Sequence, residues 1–169
     1  ETKLAVLPDG VPFDVGGAIG NVGATAWTAL PKLAGVTPGD RVLVHGGAGG
    51  VGHAAVQIAA SAGADVIATA GSAAARDAVL DLGATTALDY ESDSLAADVL
   101  AATDGAGVET VLDHRLETYL DLDLQVVCEG GQIVAIMGHV PETDGRRLYT
   151  KEVTLRALRM DNRPVRTPT

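Results

Sequence analysis

The sequence predicts an α/β fold, a doubly wound parallel sheet of about six strands with helices on both faces. Three observations predict it. From residue 41 onward, short apolar segments alternate with longer amphipathic ones. The short segments are apolar on both sides, as strands covered on both faces require. A glycine-rich run at residues 46–52 joins the first of them to the next amphipathic segment.

The elements follow in order. Residues 1–12 hold an apolar run and the turn Pro8-Asp9-Gly10. Residues 13–33 are rich in Gly and Ala, with Trp27 and Leu30 at helical spacing. They read as helices broken around Gly20 and capped by Gly35, so residues 1–36 form a helical lead-in. Thr37-Pro38-Gly39-Asp40 is a tight turn that opens the main domain, residues 37–169. Strands are expected at 41–45, 65–70, 86–88, 108–112, 132–137 and 153–158. Helices are expected at 50–62, 72–82, 94–103 and 116–127, several ended by glycine, with 138–152 a polar loop. The last strand is expected at the sheet's edge.

The chain has 169 residues, 47% apolar and only 3% aromatic, which suits one domain packed with small side chains. It starts at Glu1 rather than Met and ends in a Pro- and Arg-containing stretch, so a piece of a longer protein is expected. No apolar run approaches the ~20 residues of a membrane span, and no membrane partner is expected. A cytoplasmic location is expected. Cys128 stands alone, which excludes an internal disulfide and suits a buried core role. The net charge of −10 argues against nucleic acid as a partner. Fifteen of the 22 acids are Asp, and only Lys3, Lys32 and Lys151 are lysines. That balance suits a chain that works in high salt, the candidate surface acids being Asp77, Asp81, Asp89, Glu91, Asp93, Asp121 and Asp123. An ordinary acidic protein of a GC-rich genome is the other reading.

Gly47, Gly49 and Gly52 form G-x-G-x-x-G inside Gly47-Ala48-Gly49-Gly50-Val51-Gly52, after a strand and opening a helix. Gly47 then permits the tight turn, Gly49 lets the backbone approach a pyrophosphate, and Gly52 lets the helix lie close on the strand. The helix-start amides and dipole attract the phosphates. The second strand ends Ala70-Gly71-Ser72 with no acid to accept a ribose 2′-hydroxyl. Ser72 and Arg76 can instead bind a 2′-phosphate, which favours NADPH as the cofactor. Against this, Arg76 could face solvent, and Asp77 beside it weakens the local positive field.

The runs Thr25-Ala26-Trp27 and 34–52, with Leu82-Gly83-Ala84, Asp89-Tyr90, Leu112-Asp113 and Gly130-Gly131 in the same order, resemble the quinone oxidoreductase branch of the medium-chain dehydrogenase/reductase superfamily. The resemblance implies a Rossmann domain inserted in a GroES-like catalytic domain, whose two pieces lie outside this chain. It implies a homodimer paired through the edge strand 153–158, with Arg156 and Arg159 moderating nonspecific pairing. It implies cofactor roles for Thr25, the glycine loop, Gly71, Ser72 and Tyr90, and for Ile136, Met137, Gly138 and His139 near the nicotinamide. Where zinc-dependent relatives carry Cys, this chain has Asn21, so no metal is expected. Many relatives read Asp-x-Val-Gly-Gly after the fourth strand, whereas this chain reads Asp113-His114-Arg115-Leu116-Glu117. The four histidines, scattered with no metal-ligand spacing, read as loop or helix polar residues.

The leading expectation is hydride transfer to a quinone-like small molecule or another activated C=C or C=O group, with catalytic residues unknown and the chain inactive alone. An alcohol dehydrogenase or enoyl-thioester reductase of the same superfamily is the alternative. A non-catalytic dinucleotide sensor is the alternative of another class.

Overall fold

The computed structural model describes residues 6–158. Helix α1, Phe13–Trp27, runs into a π-helical segment, Thr28–Ala34, and then the alternation begins. Strand β1 is Arg41–Val44, helix α2 Gly50–Ser61, β2 Asp65–Ala70 and α3 Ala73–Asp81. They are followed by β3, Thr86–Asp89; α4, Leu95–Ala102; β4, Val108–Asp113; and α5, Leu116–Val126. The last elements are β5, Val127–Ala135; α6, Arg146–Thr150; and β6, Thr154–Ala157. All strands are parallel, in the order β3-β2-β1-β4-β5-β6. That is the doubly wound order, with its switch point between β1 and β4.

The strands are apolar on both sides because each side serves a different core. Val42, Val44, Val66, Ala68, Leu112 and Val134 pack with α2 and the π-helical segment. Leu43, Ile67, Val111 and Ile133 point the other way, onto α4 and α5. Period-two alternation thus survives in direction while vanishing in polarity.

Four expectations are corrected. Helix α1 is continuous through Gly20, whose Cα faces open space. A helical glycine costs only about 1 kcal/mol, and burial of Thr25 and Ala26 holds the helix. The disturbance comes later, at Pro31, which donates no backbone hydrogen bond and lies in the π-helical segment. Gly35, at φ +70°, ends it and donates to Leu30 O at 2.8 Å, as expected of a cap. Strand β5 begins five residues early, at Val127. Its register shifts between the pairs Val108–Val127 and Thr110–Gln132, so the Glu129-Gly130-Gly131 stretch, which lies between the expected helix and strand, is a kink within the strand. The polar loop holds α6, started by Asp144 Oδ1 accepting the Arg146 amide at 3.0 Å. Cys128 is half-buried rather than buried.

The edge position of β6 agrees with the sequence. Arg156 is not a free guard there, because its guanidinium donates to Leu33 O; Arg159 lies outside the described residues. Among the described residues no helix is long and apolar enough to cross a membrane.

The acidic surface is smaller than the sequence suggests. Asp123 is fully buried, Asp89 pairs with Arg76 and Asp121 with Arg147. Asp77, Asp81, Glu91 and Asp93 remain exposed. At ~1 M salt the Debye length falls to about 3 Å, which screens their repulsion. The unfolding midpoint is expected to rise between dilute buffer and about 1 M KCl. A flat or falling midpoint in a KCl series of thermal melts leaves the ordinary acidic reading.

Candidate dinucleotide-binding site

The carboxyl ends of β1 and β2 open onto a cleft of about 380 Å³ lined by Gly46, Ala48, Gly49, Ala70, Gly71, Ser72, Ala75 and Tyr90. It lies beside the switch point, where such sheets take ligands. The turn that builds it is tied to β2: the Gly46 amide donates to Thr69 Oγ1 at 3.0 Å and the Gly47 amide to Thr69 O at 2.8 Å.

The glycines divide the work differently from the sequence reading. The left-handed turn residue is Gly46, at φ +63°, and not Gly47. Gly47 is needed for packing, since a Cβ there would stand 2.9 Å from Ala68 Cβ and 3.0 Å from Val79 Cγ1. Gly52 matches its expected role: a Cβ would fall 2.1 Å from Gly46 O, so only glycine lets α2 approach the turn. Gly49 caps α2 and is exposed, and a Cβ there would meet only Gly46 O at 3.2 Å. The next amides, of Gly50, Val51 and Gly52, open α2 without intrahelical acceptors and carry its positive dipole end.

On the β2 side, Gly71 lies under Tyr90, whose Oη would be 2.2 Å from any Cβ. Ser72 is the N-cap of α3; its Oγ accepts the Ala75 amide at 3.2 Å and keeps its own proton to donate. Arg76 does not line the cleft. Its Nη1 donates to Asp89 Oδ2 at 2.7 Å, a partner thirteen residues away that replaces the expected influence of Asp77. Thr25 also lies off the cleft lining, buried with its hydroxyl donated to Asn21 O at 2.8 Å. Ile136, Met137, Gly138 and His139 form the loop after β5, Met137 and His139 exposed and Gly138 at φ +100° against the Leu116 amide and Glu117.

Sequence reasoning missed a polar cluster under this site. The His45 side chain is not on a loop surface but wholly buried, its Nε2 2.9 Å from Asp123 Oδ1 and its ring stacked 4.3 Å from Tyr119. Burial pushes His45 down to about 4. Asp113 is pushed up to about 6, by burial first and then by Asp123. Burial pushes Asp123 up to about 8. The contact is therefore a hydrogen bond involving a neutral imidazole. A signal did exist: Asp123 falls on the buried helical stripe of Leu116, Leu120 and Leu124.

Comparison with known proteins places these features. The model of the zinc-binding dehydrogenase family matches residues 50–167. A mycocerosic acid synthase-like polyketide synthase of Mycolicibacterium smegmatis is 36% identical over 137 residues, 80% of this chain and 6% of that protein. Among solved structures, the CurK enoyl reductase is 31% identical at a TM-score of 0.81, covering 92% of this chain and 47% of that one. A quinone oxidoreductase of Pseudomonas syringae pv. Tomato DC3000 is 31% identical at 0.86, covering 94% and 50%. Mycobacterial Rv1454c complexed with NADPH is 34% identical at 0.84, covering 92% and 49%. The chain thus spans about half of each solved relative and a small fraction of the synthase. The family's description implies zinc, but the residues here do not fit it. Asn21 is exposed on α1, and among the described residues no three His, Cys, Asp or Glu side chains group as metal ligands. From its glycine turn, sheet order and these matches, the chain belongs to the zinc-binding dehydrogenase family of the medium-chain dehydrogenase/reductase superfamily, as a domain like those that hold the family's nicotinamide dinucleotide.

Proposed function

We propose that this chain is the NADPH-holding half of an enoyl-thioester reductase, one unit of a longer synthase. The observation that supports the substrate class is the likeness to a polyketide synthase over 80% of the chain and to an enoyl reductase over 92%. The quinone reading shares every feature of the cleft and is supported by the quinone oxidoreductase likeness.

In this reading the amides opening α2 hold the pyrophosphate, and Gly49 keeps the approach open. Ser72 donates its hydroxyl proton to the 2′-phosphate, Arg76 supplies charge, and Tyr90 covers the adenosine end. The loop 136–139 borders the nicotinamide. Bound there, NADPH supplies a hydride to the carbon conjugated with the thioester carbonyl. Groups that deliver the balancing proton belong to the catalytic domain outside this chain.

Two experiments test the reading. In the intact protein, NADPH oxidation is expected with a crotonyl-pantetheine thioester at a kcat/KM at least about tenfold above that with benzoquinone. The reverse order restores the quinone assignment. For assembly, we propose that a second copy pairs along β6, whose outer edge meets no other strand among the described residues. Light scattering of chain and intact protein is expected to show dimer, and monomer alone at high concentration contradicts it.

A further inference from the structure

Beneath the glycine turn lie three buried polar side chains that cofactor binding does not use. His45 comes from the end of β1, Asp113 from the end of β4 and Asp123 from α5. His45 Nε2 meets Asp123 Oδ1 at 2.9 Å. Asp113 and Asp123 are both fully buried, and each bears on the other's ionisation. Asp113 Oδ1 accepts the Arg115 amide at 2.6 Å. The oxygens left over, Oδ2 of Asp113 and Oδ2 of Asp123, are buried without a partner.

The groups facing this pocket are few. His45 follows β1; β4 contributes Asp113 and the loop after it His114 and Arg115; α5 contributes Tyr119 and Asp123. Among the described residues no lysine or arginine side chain pairs with either buried carboxyl. Two uncompensated carboxylates in a dry interior would be costly.

A count of protons resolves this. The contact between His45 and Asp123 needs one, which a neutral imidazole carries on Nε2. The contact between the carboxyls needs another, because two carboxylate oxygens only repel. A carboxylic proton there satisfies both leftover oxygens at once. It leaves two ring nitrogens of the cluster bare, His45 Nδ1, beside the stacked Tyr119 ring, and His114 Nδ1.

We propose that His45, Asp123 and Asp113 form one hydrogen-bonded chain closed by a single shared carboxylic proton, and that this chain positions the two loops flanking the nicotinamide side of the cleft. His45 leads directly into Gly46. Asp113 fixes the Arg115 amide and so carries His114 over Gly46, where a Cβ would stand 2.8 Å from His114 Cε1. These are positioning residues. Their effect on binding rests on the dinucleotide reading; their shared proton does not.

The pH dependence follows. An unfolded Asp ionises near 4, while the folded chain keeps a carboxylic proton to higher pH, pushed up by burial to about 8 at Asp123 and about 6 at Asp113. Over that window the folded state holds more protons, so stability falls as pH rises. His45, lowered to about 4, acts oppositely but only below its ordinary value near 6.5. Above that value the carboxyls set the slope up to about 8, and at higher pH Cys128, whose thiol burial pushes up, adds in the same direction in wild type and amide variants alike.

The test is the unfolding midpoint and the NADPH Kd of the 169-residue chain from about pH 6.5 to about pH 9.5, above the pKa near 6 of a phosphate monoester. For the wild type, the midpoint should fall with pH and the Kd should weaken about tenfold. Asp123→Asn keeps a permanent donor toward Asp113 and an acceptor for His45. Compared with wild type it should lose most of both slopes, with a Kd near pH 7 within about threefold. Should that variant not fold, Asp113→Asn, which donates to Asp123 instead, should flatten both curves in the same way. A wild-type midpoint independent of pH in this range, or amide variants whose midpoints track wild type, would overturn the shared proton. A chain that binds no dinucleotide at any pH removes the cofactor reading, while the midpoint slopes still decide on the proton.

Discussion

Gly49→Val is expected to abolish dinucleotide binding, with Kd raised more than about 100-fold, yet to shift the unfolding midpoint by no more than about 4 °C. Gly52→Val is expected to prevent folding altogether. The two glycines sit three residues apart in one motif, and the distances separate them. At Gly49 the backbone has φ −77° and ψ 169°, open to any L-residue, and a Cβ meets only Gly46 O at 3.2 Å. Its side chain would project into the exposed mouth of the cleft, where the pyrophosphate needs the backbone bare. At Gly52 the first carbon added would stand 2.1 Å from Gly46 O and 2.8 Å from Gly47 Cα. Both are backbone atoms of a turn already tied to Thr69, so neither can yield cheaply. Circular-dichroism melts and calorimetric titration check both. Normal NADPH binding by Gly49→Val would place the pyrophosphate elsewhere.

Arg76→Ala is expected to weaken NADPH binding about 10- to 100-fold and to leave NADH binding within about twofold, from the ~1.5–3 kcal/mol of a charge-assisted hydrogen bond. The ion pair with Asp89 does not cancel this. Both partners are partly exposed, at 28% and 39%, and a pair in that setting contributes no more than about 1 kcal/mol. Arg76 also has five donors, and Nη1 alone serves Asp89 and Ala70 O. Ser72→Ala should act in the same direction and lose the cap on α3 as well, at about 1 kcal/mol of stability. Equal losses for both dinucleotides would mean that Arg76 only supports the loop.

What could be read in the sequence, and what could not, divides along physical lines. The alternation of strands and helices was legible because short apolar runs and longer amphipathic ones differ in pattern, and most are bounded by glycine or a turn. The glycine turn was legible because Gly52 meets the backbone of the turn too closely for any other residue, and the run stands between a strand and a helix. The division of labour between Gly46 and Gly47 was not, since adjacent glycines allow either to take the left-handed conformation. The continuity of α1 was hidden because glycine's helix penalty is small beside the packing of Thr25 and Ala26. The partner of Arg76 was hidden because parallel pairing of β2 with β3 brings Asp89 beside α3 from far along the chain. The buried cluster was half-legible: Asp123 lies in an apolar helical stripe, but its meeting with His45, 78 residues away, depends on the tertiary fold. The edge position of β6 could be read from order alone, whereas the anchor of Arg156 on Leu33 could not.

The central claim is that this cleft holds a nicotinamide dinucleotide and selects its 2′-phosphate. Calorimetric titration of the chain with NADPH and with NADH tests it most directly. Binding of NADPH is expected to be saturable and tighter than that of NADH by about tenfold or more, or ~1.4 kcal/mol. Tighter binding of NADH, or no binding of either, would contradict it.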